Sequence, residues 1–171
     1  MSLLQAQLHI ARGQPAAALK TLDSLNARAD ERPPLLLRAQ ATLDLHRIKG
    51  AAHATDLRNS TEALQTWVSE KPQDAAAWEL LSACSSALGL NLRAMRAGAE
   101  ARAVVGDLSG AIDRLRAAQQ QSRGATGQDF IEASVIDARL RQITAQRRQI
   151  ALEARGERPD RDRRPEEPQP Q

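Results

Sequence analysis

The amino-acid sequence predicts an all-α fold in which antiparallel helical hairpins stack into one domain. Three observations support this prediction. Helix-forming residues dominate the composition, and aromatic residues make up only 2% of the chain. Apolar residues recur at three- and four-residue spacing, as they do on one face of a helix. Glycine or proline separates neighbouring segments, which is typical of the tight turns in helical hairpins. A length of 171 residues is sufficient for one continuous core.

Charge and hydropathy exclude several classes of function. The 24 Lys and Arg residues are interleaved with 21 Asp and Glu residues, and no aromatic platform accompanies them. This pattern is typical of solvated helix faces, so we expect no nucleic-acid partner. No apolar run approaches the length of a membrane span, so we expect no membrane insertion, and no secretion signal is recognisable in this chain. The single cysteine, Cys84, has no second cysteine with which to form an internal disulfide.

Eight helices are predicted within a domain of residues 1–155. Gly13 and Pro15 separate the first two, because glycine commonly ends a helix and proline commonly begins one. Pro33 begins the third helix, and surplus residues around Gly50 predict a lengthened turn before the fourth. The predicted helices cover about residues 2–12, 15–27, 33–47, 55–70, 74–88, 92–105, 108–121 and 128–154.

Regularly spaced residues mark the middle of the chain. Pro72 lies eight positions after Leu64, and Trp78, Leu81 and Ser82 then follow the pattern W-x2-L-G/S. This spacing is that of a tetratricopeptide (TPR) repeat. Trp78 and Leu81 lie on one face of a helix, while the small Ser82 allows a neighbouring helix to approach. We therefore predict a TPR-like helical-hairpin solenoid. An amphipathic bundle without repeats is the alternative, because periodicity alone does not exclude it.

The repeat spacing shifts after Trp78. Counting forward from Trp78 and backward from Leu115 gives two frames that differ by half a repeat, which is also the interval from Gly89 to Gly106. We interpret residues 75–88 as one unpaired helix between hairpins. A solenoid interrupted in this way should curl irregularly.

Both ends of the chain have a predicted role. The first repeat position falls at Ser2, so we expect the chain to be a fragment that starts inside a repeat. Near the other end, Asp129 is predicted to cap a long C-terminal helix that closes the solenoid. Residues 156–171 combine charges with proline and offer no apolar side chain for burial. We expect them to form a disordered tail.

The sequence contains no recognisable catalytic site. His9, His46 and His53 lie outside any HExxH motif and are not at zinc-ligand spacing from Cys84. We therefore predict no catalytic, metal-binding or cofactor-binding residue and no enzymatic activity in this chain by itself. The mixed polar residues along the predicted grooves instead favour reversible binding of a protein or peptide. These candidate partner-binding residues are Gln40, Asp44, Glu79, Arg93, Arg96 and Glu100.

Residues 64–143 resemble the C-terminal TPR region of the β-barrel assembly-enhancing zinc metalloproteases of Gram-negative bacteria. The segments that carry the resemblance are WELLSACSSALG at 78–89, RAGAEARAVVGDLSGAIDRLRAA at 96–118 and DARLRQI at 137–143. The resemblance implies a periplasmic parent protein that takes part in outer-membrane protein quality control. Its TPR region would bind the cognate protease domain, the outer-membrane assembly machinery or client proteins. The family's HExxH domain has no counterpart in this sequence, so no catalytic or zinc-ligand residue is assigned, and a free-standing TPR adaptor is the alternative.

Overall fold

The computed structural model describes residues 2–25, 31–123 and 127–156, and these residues form an all-α fold of helical hairpins. A short 3-10 helix, Gly50–His53, lies between the third and fourth α-helices at the predicted lengthened turn. No strand occurs within the described ranges. The α-helices are α1 (Leu3–Ala11), α2 (Pro15–Ser24), α3 (Arg32–Lys49), α4 (Ala54–Glu70), α5 (Ala75–Ala87), α6 (Asn91–Val104), α7 (Leu108–Gln121) and α8 (Gln128–Gly156).

The helix ends follow from local chemistry. Asp74 and Asp107 cap α5 and α7, where their carboxylates accept hydrogen bonds from the backbone N–H groups of Ala77 and Gly110. Asp129, which we predicted as the cap of the last helix, instead lies in the first turn of α8. Acidic side chains are also favourable there, because the helix dipole is positive at that end.

The predicted helix limits agree with the structure to within a few residues in the described ranges. Gly156, which we assigned to the tail, is the last residue of α8. The predicted end of the second helix at residue 27 and the predicted tail over 157–171 lie outside the described residues.

Each helix packs against the next one along the chain, and contacts between next-but-one helices show where the stacking changes. These contacts join α1 to α3 and α3 to α5, and then α6 to α8. Before α6 these contacts join odd-numbered helices, and from α6 onward they join even-numbered ones. This change coincides with the half-repeat shift that we inferred from the sequence spacing. Helix α5 is not isolated, because its contact with α6 is the most extensive between any two described helices. Our interpretation of residues 75–88 as an unpaired helix therefore applies only to the predicted repeat spacing and not to the packing of the helix.

Among the described residues, two apolar clusters form the core, and the first contains the residues from which we predicted a repeat. Leu64 and Leu81 are fully buried there, and Trp78 is buried while its indole Nε1 donates to the carbonyl oxygen of Pro72 at 2.9 Å. Ser82 donates its hydroxyl to the backbone of α6 at 2.7 Å, so this small residue lies at a close approach between helices. The burial that the sequence spacing predicts is therefore present.

The second cluster depends on the C-terminal helix. Ile136 and Ile143 of α8 are fully buried against Ile112 and Leu115 of α7 and the small residues of α6. Because α8 supplies two of the largest side chains, it is part of the core and not an appendage. This position of α8 determines which surfaces of α6 remain exposed.

Candidate partner-binding surfaces

The structure divides the six predicted binding residues into two groups. Gln40, Asp44 and Glu79 belong to α3 and α5, which border one groove. The other three residues, Arg93, Arg96 and Glu100, lie on α6 and are paired with side chains of α8.

The groove between α3 and α5 is open and has an apolar floor. Its volume is about 370 Å³. It exists because Ala39 and Leu43 of α3 and Leu81 of α5 turn into the core, which leaves the neighbouring side chains of both helices at the surface. The residues that line it are Leu36, Leu37, Gln40, Ala76, Glu79, Leu80 and Ala83.

Polar side chains border this apolar floor. The Gln40 amide donates to both carboxylate oxygens of Asp44 at 3.0 Å, and Asp44 also lies 3.5 Å from the Arg47 guanidinium. Glu79 is exposed on the opposite helix. Its carboxylate makes no ion pair with a described residue, so it remains available to a cation from outside.

On α6, the first two arginines are occupied by one carboxylate of α8. Glu132 accepts from Arg96 Nε at 2.8 Å and from Arg93 Nε at 3.2 Å. The side chains of Arg96 and Glu132 are only 11% and 15% exposed, so this cluster is largely shielded from water. Burial by itself would raise the pKa of Glu132, but the hydrogen bonds and charges of Arg96 and Arg93 outweigh it and lower the pKa below its ordinary value. Glu132 is therefore ionised at neutral pH.

Arg96 also connects α6 to the helices before it. Its guanidinium carbon lies 6.0 Å from the centre of the Trp78 ring, and its Nη2 lies 3.4 Å from the side-chain oxygen of Gln65 on α4. A cation over an aromatic face and a charge-assisted hydrogen bond both favour this orientation. The side chain is thus held by contacts with α4, α5 and α8.

Glu100 has an equally complete internal partner. Arg139 of α8 donates to it from Nε and from Nη2, each at 2.7 Å, in the bidentate geometry of an arginine–carboxylate pair. The Glu100 side chain is 10% exposed. Helix α8 therefore covers the three α6 residues that we expected to face a partner.

Sequence reasoning missed Glu132 and Arg139. They lie seven residues apart on α8, each one turn before a fully buried isoleucine, Ile136 or Ile143. Spacings of four, three and four residues place these four side chains on one face of the helix. This pattern was a detectable signal that the acid and the base border a buried face and need internal partners.

The described residues give no indication of a metal site or a reactive thiol. No group of three or more His, Cys, Asp or Glu side chains converges within ranges 2–25, 31–123 and 127–156. His9 hydrogen-bonds with Gln14, and His53 with Asp56. Cys84 is fully buried, and this desolvation raises the pKa of its thiol to about 12, so the thiol stays protonated at neutral pH.

No α-helix of the described residues is both long enough and apolar enough to cross a membrane. No protein-family model matches the chain, and no curated protein matches it in sequence. The resemblance to the zinc metalloproteases therefore stays a prediction from the quoted segments.

Proposed function

We propose that this chain is a protein-interaction module that binds a segment of a partner protein in the groove between α3 and α5. The observation that carries the proposal is the combination of an apolar floor, formed by Leu36, Leu37 and Leu80, with polar side chains at the edges. Apolar contacts supply affinity in such grooves, and a few polar groups fix the orientation of the bound segment.

The charges around the groove define the partner's chemistry. Among the described lining residues Glu79 supplies a carboxylate and none is cationic, while the nearby Asp44 already has Arg47 beside it. A partner segment that fits would place apolar side chains on the floor and a lysine or arginine opposite Glu79. Exposed ion pairs of this kind contribute mainly to specificity and to the rate of association.

The fuller proposal is that the hairpins form a TPR-like solenoid belonging to a periplasmic zinc metallopeptidase of outer-membrane protein quality control. Its support is the spacing of Trp78, Leu81 and Ser82, together with the change in helix stacking at the half-repeat shift. On this proposal the cognate protease domain is the first partner to test, and client proteins or the assembly machinery are further partners. A free-standing TPR adaptor is the second candidate, favoured if the gene upstream of this segment encodes no HExxH domain.

The experiment measures binding of the separately expressed upstream domain to this chain by isothermal titration calorimetry. Glu79→Lys combined with Ala76→Lys should weaken binding about tenfold or more, because it fills the groove and repels the partner's cation. Glu62→Lys on the exposed face of α4 is the control, and it should leave the affinity unchanged. Equal affinities for both variants would contradict the groove assignment. If the unaltered chain does not associate at all, the protease-domain proposal fails and the adaptor takes its place.

Charge reversal at Arg93 or Arg96 is not a clean test of partner binding. Either change would place a carboxylate against the partly buried Glu132 and weaken the attachment of α8. A loss of binding in such a variant would report on the fold and not on the groove.

A further inference from the structure

A second groove, between α7 and α8, is lined by arginines that have no strong internal partner. Its volume is about 390 Å³. The two helices run antiparallel and are joined on either side of the groove, where Gln119 donates to Asp137 at 2.8 Å and Arg147 donates to Ser109 at 3.4 Å. The lining residues are Arg116, Leu140, Arg141, Thr144, Ala145 and Arg148.

The three guanidinium groups differ from the arginines on the α6 side of the molecule. Arg141 and Arg148 make no hydrogen bond or ion pair with any residue in the described ranges. Arg116 has a weak partner, because its Nη1 lies 3.8 Å from a carboxylate oxygen of the exposed Asp113. Arg139, on another face of α8, has a bidentate carboxylate partner. Unused donors thus converge on one groove, and this arrangement is independent of the function proposed above.

The stacking of the helices indicates what shape of ligand this groove accepts. The preceding hairpin, α6–α7, is covered by α8, which inserts Ile136 and Ile143 and pairs Glu132 with arginines of α6. The hairpin α7–α8 presents a comparable groove, with Leu140 and Ala145 at its surface, and no described helix covers it. A helix with carboxylates on its docking face would repeat the chemistry by which α8 itself is bound.

We propose that the α7–α8 groove binds an acidic amphipathic helix of a partner protein. Arg141 and Arg148 are seven residues apart on one face of α8, which is about 10 Å along the helix axis. Two Asp or Glu residues seven positions apart on the partner helix span the same distance. Their carboxylates would each meet the planar fork of one guanidinium, while small apolar residues between them contact Leu140 and Ala145.

The charge pattern favours separated carboxylates over a continuous line of phosphates. Asp113 and Asp137 lie one helical turn from Arg116 and Arg141. A nucleic-acid backbone passing along the groove would bring its closely spaced phosphates near both of these carboxylates. A helix with two carboxylates about 10 Å apart avoids them.

The test uses the full chain and a fluorescein-labelled, alanine-rich helical peptide of about 20 residues that carries two glutamates seven positions apart. Fluorescence anisotropy should show saturable binding at low ionic strength that weakens as salt is added. The double variant Arg141→Gln/Arg148→Gln should lower the affinity about tenfold, since two ion pairs are lost. A peptide with glutamine in place of both glutamates should show the same loss against the unaltered chain.

A control variant removes the same number of charges elsewhere. Arg12→Gln/Arg58→Gln changes two exposed arginines at the end of α1 and on α4, and it should leave the affinity unchanged. Equal weakening by both double variants would overturn the proposal, because it would indicate attraction to net charge alone. Tighter binding of a single-stranded DNA oligomer of equal charge, abolished by Arg141→Gln/Arg148→Gln, would overturn it in favour of nucleic acid. Tenfold tighter peptide binding after deletion of residues 157–171 would identify the chain's own C-terminus as the occupant and also overturn it.

Discussion

Replacement of Asp74 by alanine should destabilise the protein more than the same change at Asp107, although both residues cap a helix. The Asp74 carboxylate accepts from the backbone N–H of Ala77 at 3.2 Å, from Trp67 Nε1 at 3.0 Å and from two guanidinium nitrogens of Arg32 at 2.6 and 2.8 Å. Its side chain is 8% exposed. One carboxylate therefore connects α3, α4 and α5.

The expected magnitudes follow from these contacts. Loss of a helix cap costs about 1 kcal/mol. Asp74→Ala also leaves the part-buried indole N–H of Trp67 without its acceptor, which adds about 1–3 kcal/mol, so the total loss is about 2–4 kcal/mol. Asp107 accepts from Gly110 and pairs with Arg102, but the two charged side chains are 41% and 45% exposed. Asp107→Ala should therefore cost only about 1 kcal/mol, since exposed ion pairs contribute little.

Acid should remove the contribution of Asp74. The Arg32 hydrogen bonds, against the opposing effect of burial and with help from Trp67 and Ala77, lower the pKa of Asp74 from 3.8 to about 2. A carboxylate whose pKa is lower in the folded state stabilises the fold above its ordinary pKa, and this stabilisation is lost as pH falls toward the folded value. The shift in the pKa of Asp74 corresponds to about 2 kcal/mol of folding stability at most. Because Arg32 is half exposed and water screens its charge, we expect about 1–2 kcal/mol.

The assay is urea unfolding followed by circular dichroism, for the unaltered chain, Asp74→Ala and Asp107→Ala, at neutral pH and at steps between pH 4 and pH 2. The difference between the unaltered chain and Asp74→Ala should shrink across this interval. Equal losses for the two variants at neutral pH would refute the role of the Trp67 and Arg32 contacts. A difference that stays constant down to pH 2 would refute the ionic part of the reasoning.

Three further predictions test the core, the attachment of α8 and the thiol. Leu81→Ala should cost about 2–5 kcal/mol because the side chain is fully buried, and a loss well under 1 kcal/mol in urea unfolding would contradict its place in the core. Arg139→Ala should lower the free energy of unfolding by about 2–4 kcal/mol, because it leaves the shielded Glu100 carboxylate unpaired. The control Arg147→Ala removes one exposed hydrogen bond and should lower it by under about 0.5 kcal/mol. Iodoacetamide should modify Cys84 in urea but not in the folded chain at mildly alkaline pH, because burial keeps the thiol protonated and inaccessible. Intact-mass measurement detects the modification, and rapid labelling of the folded chain would contradict this prediction.

Local sequence patterns were sufficient to predict the helices. Apolar spacing and the positions of glycine and proline predicted the helix limits to within a few residues, and the burial of Leu64, Trp78 and Leu81 followed from the same spacing. These features depend on interactions between residues only a few positions apart, which a sequence displays directly. The structure confirms the all-α hairpin fold that these local patterns predicted.

The open surfaces were decided by tertiary structure. Sequence reasoning placed Arg93, Arg96 and Glu100 among the candidate groove residues, but α8 lies along α6, and its Glu132 and Arg139 pair with these three side chains. Nothing in the local spacing of α6 reveals that these side chains will meet partners more than thirty residues later in the chain. The sequence by itself determined which segments are helical and which of their faces are apolar. Only the packing of α8 decided that Arg93, Arg96 and Glu100 are paired internally, because ion pairs between distant segments depend on how whole helices lie against one another.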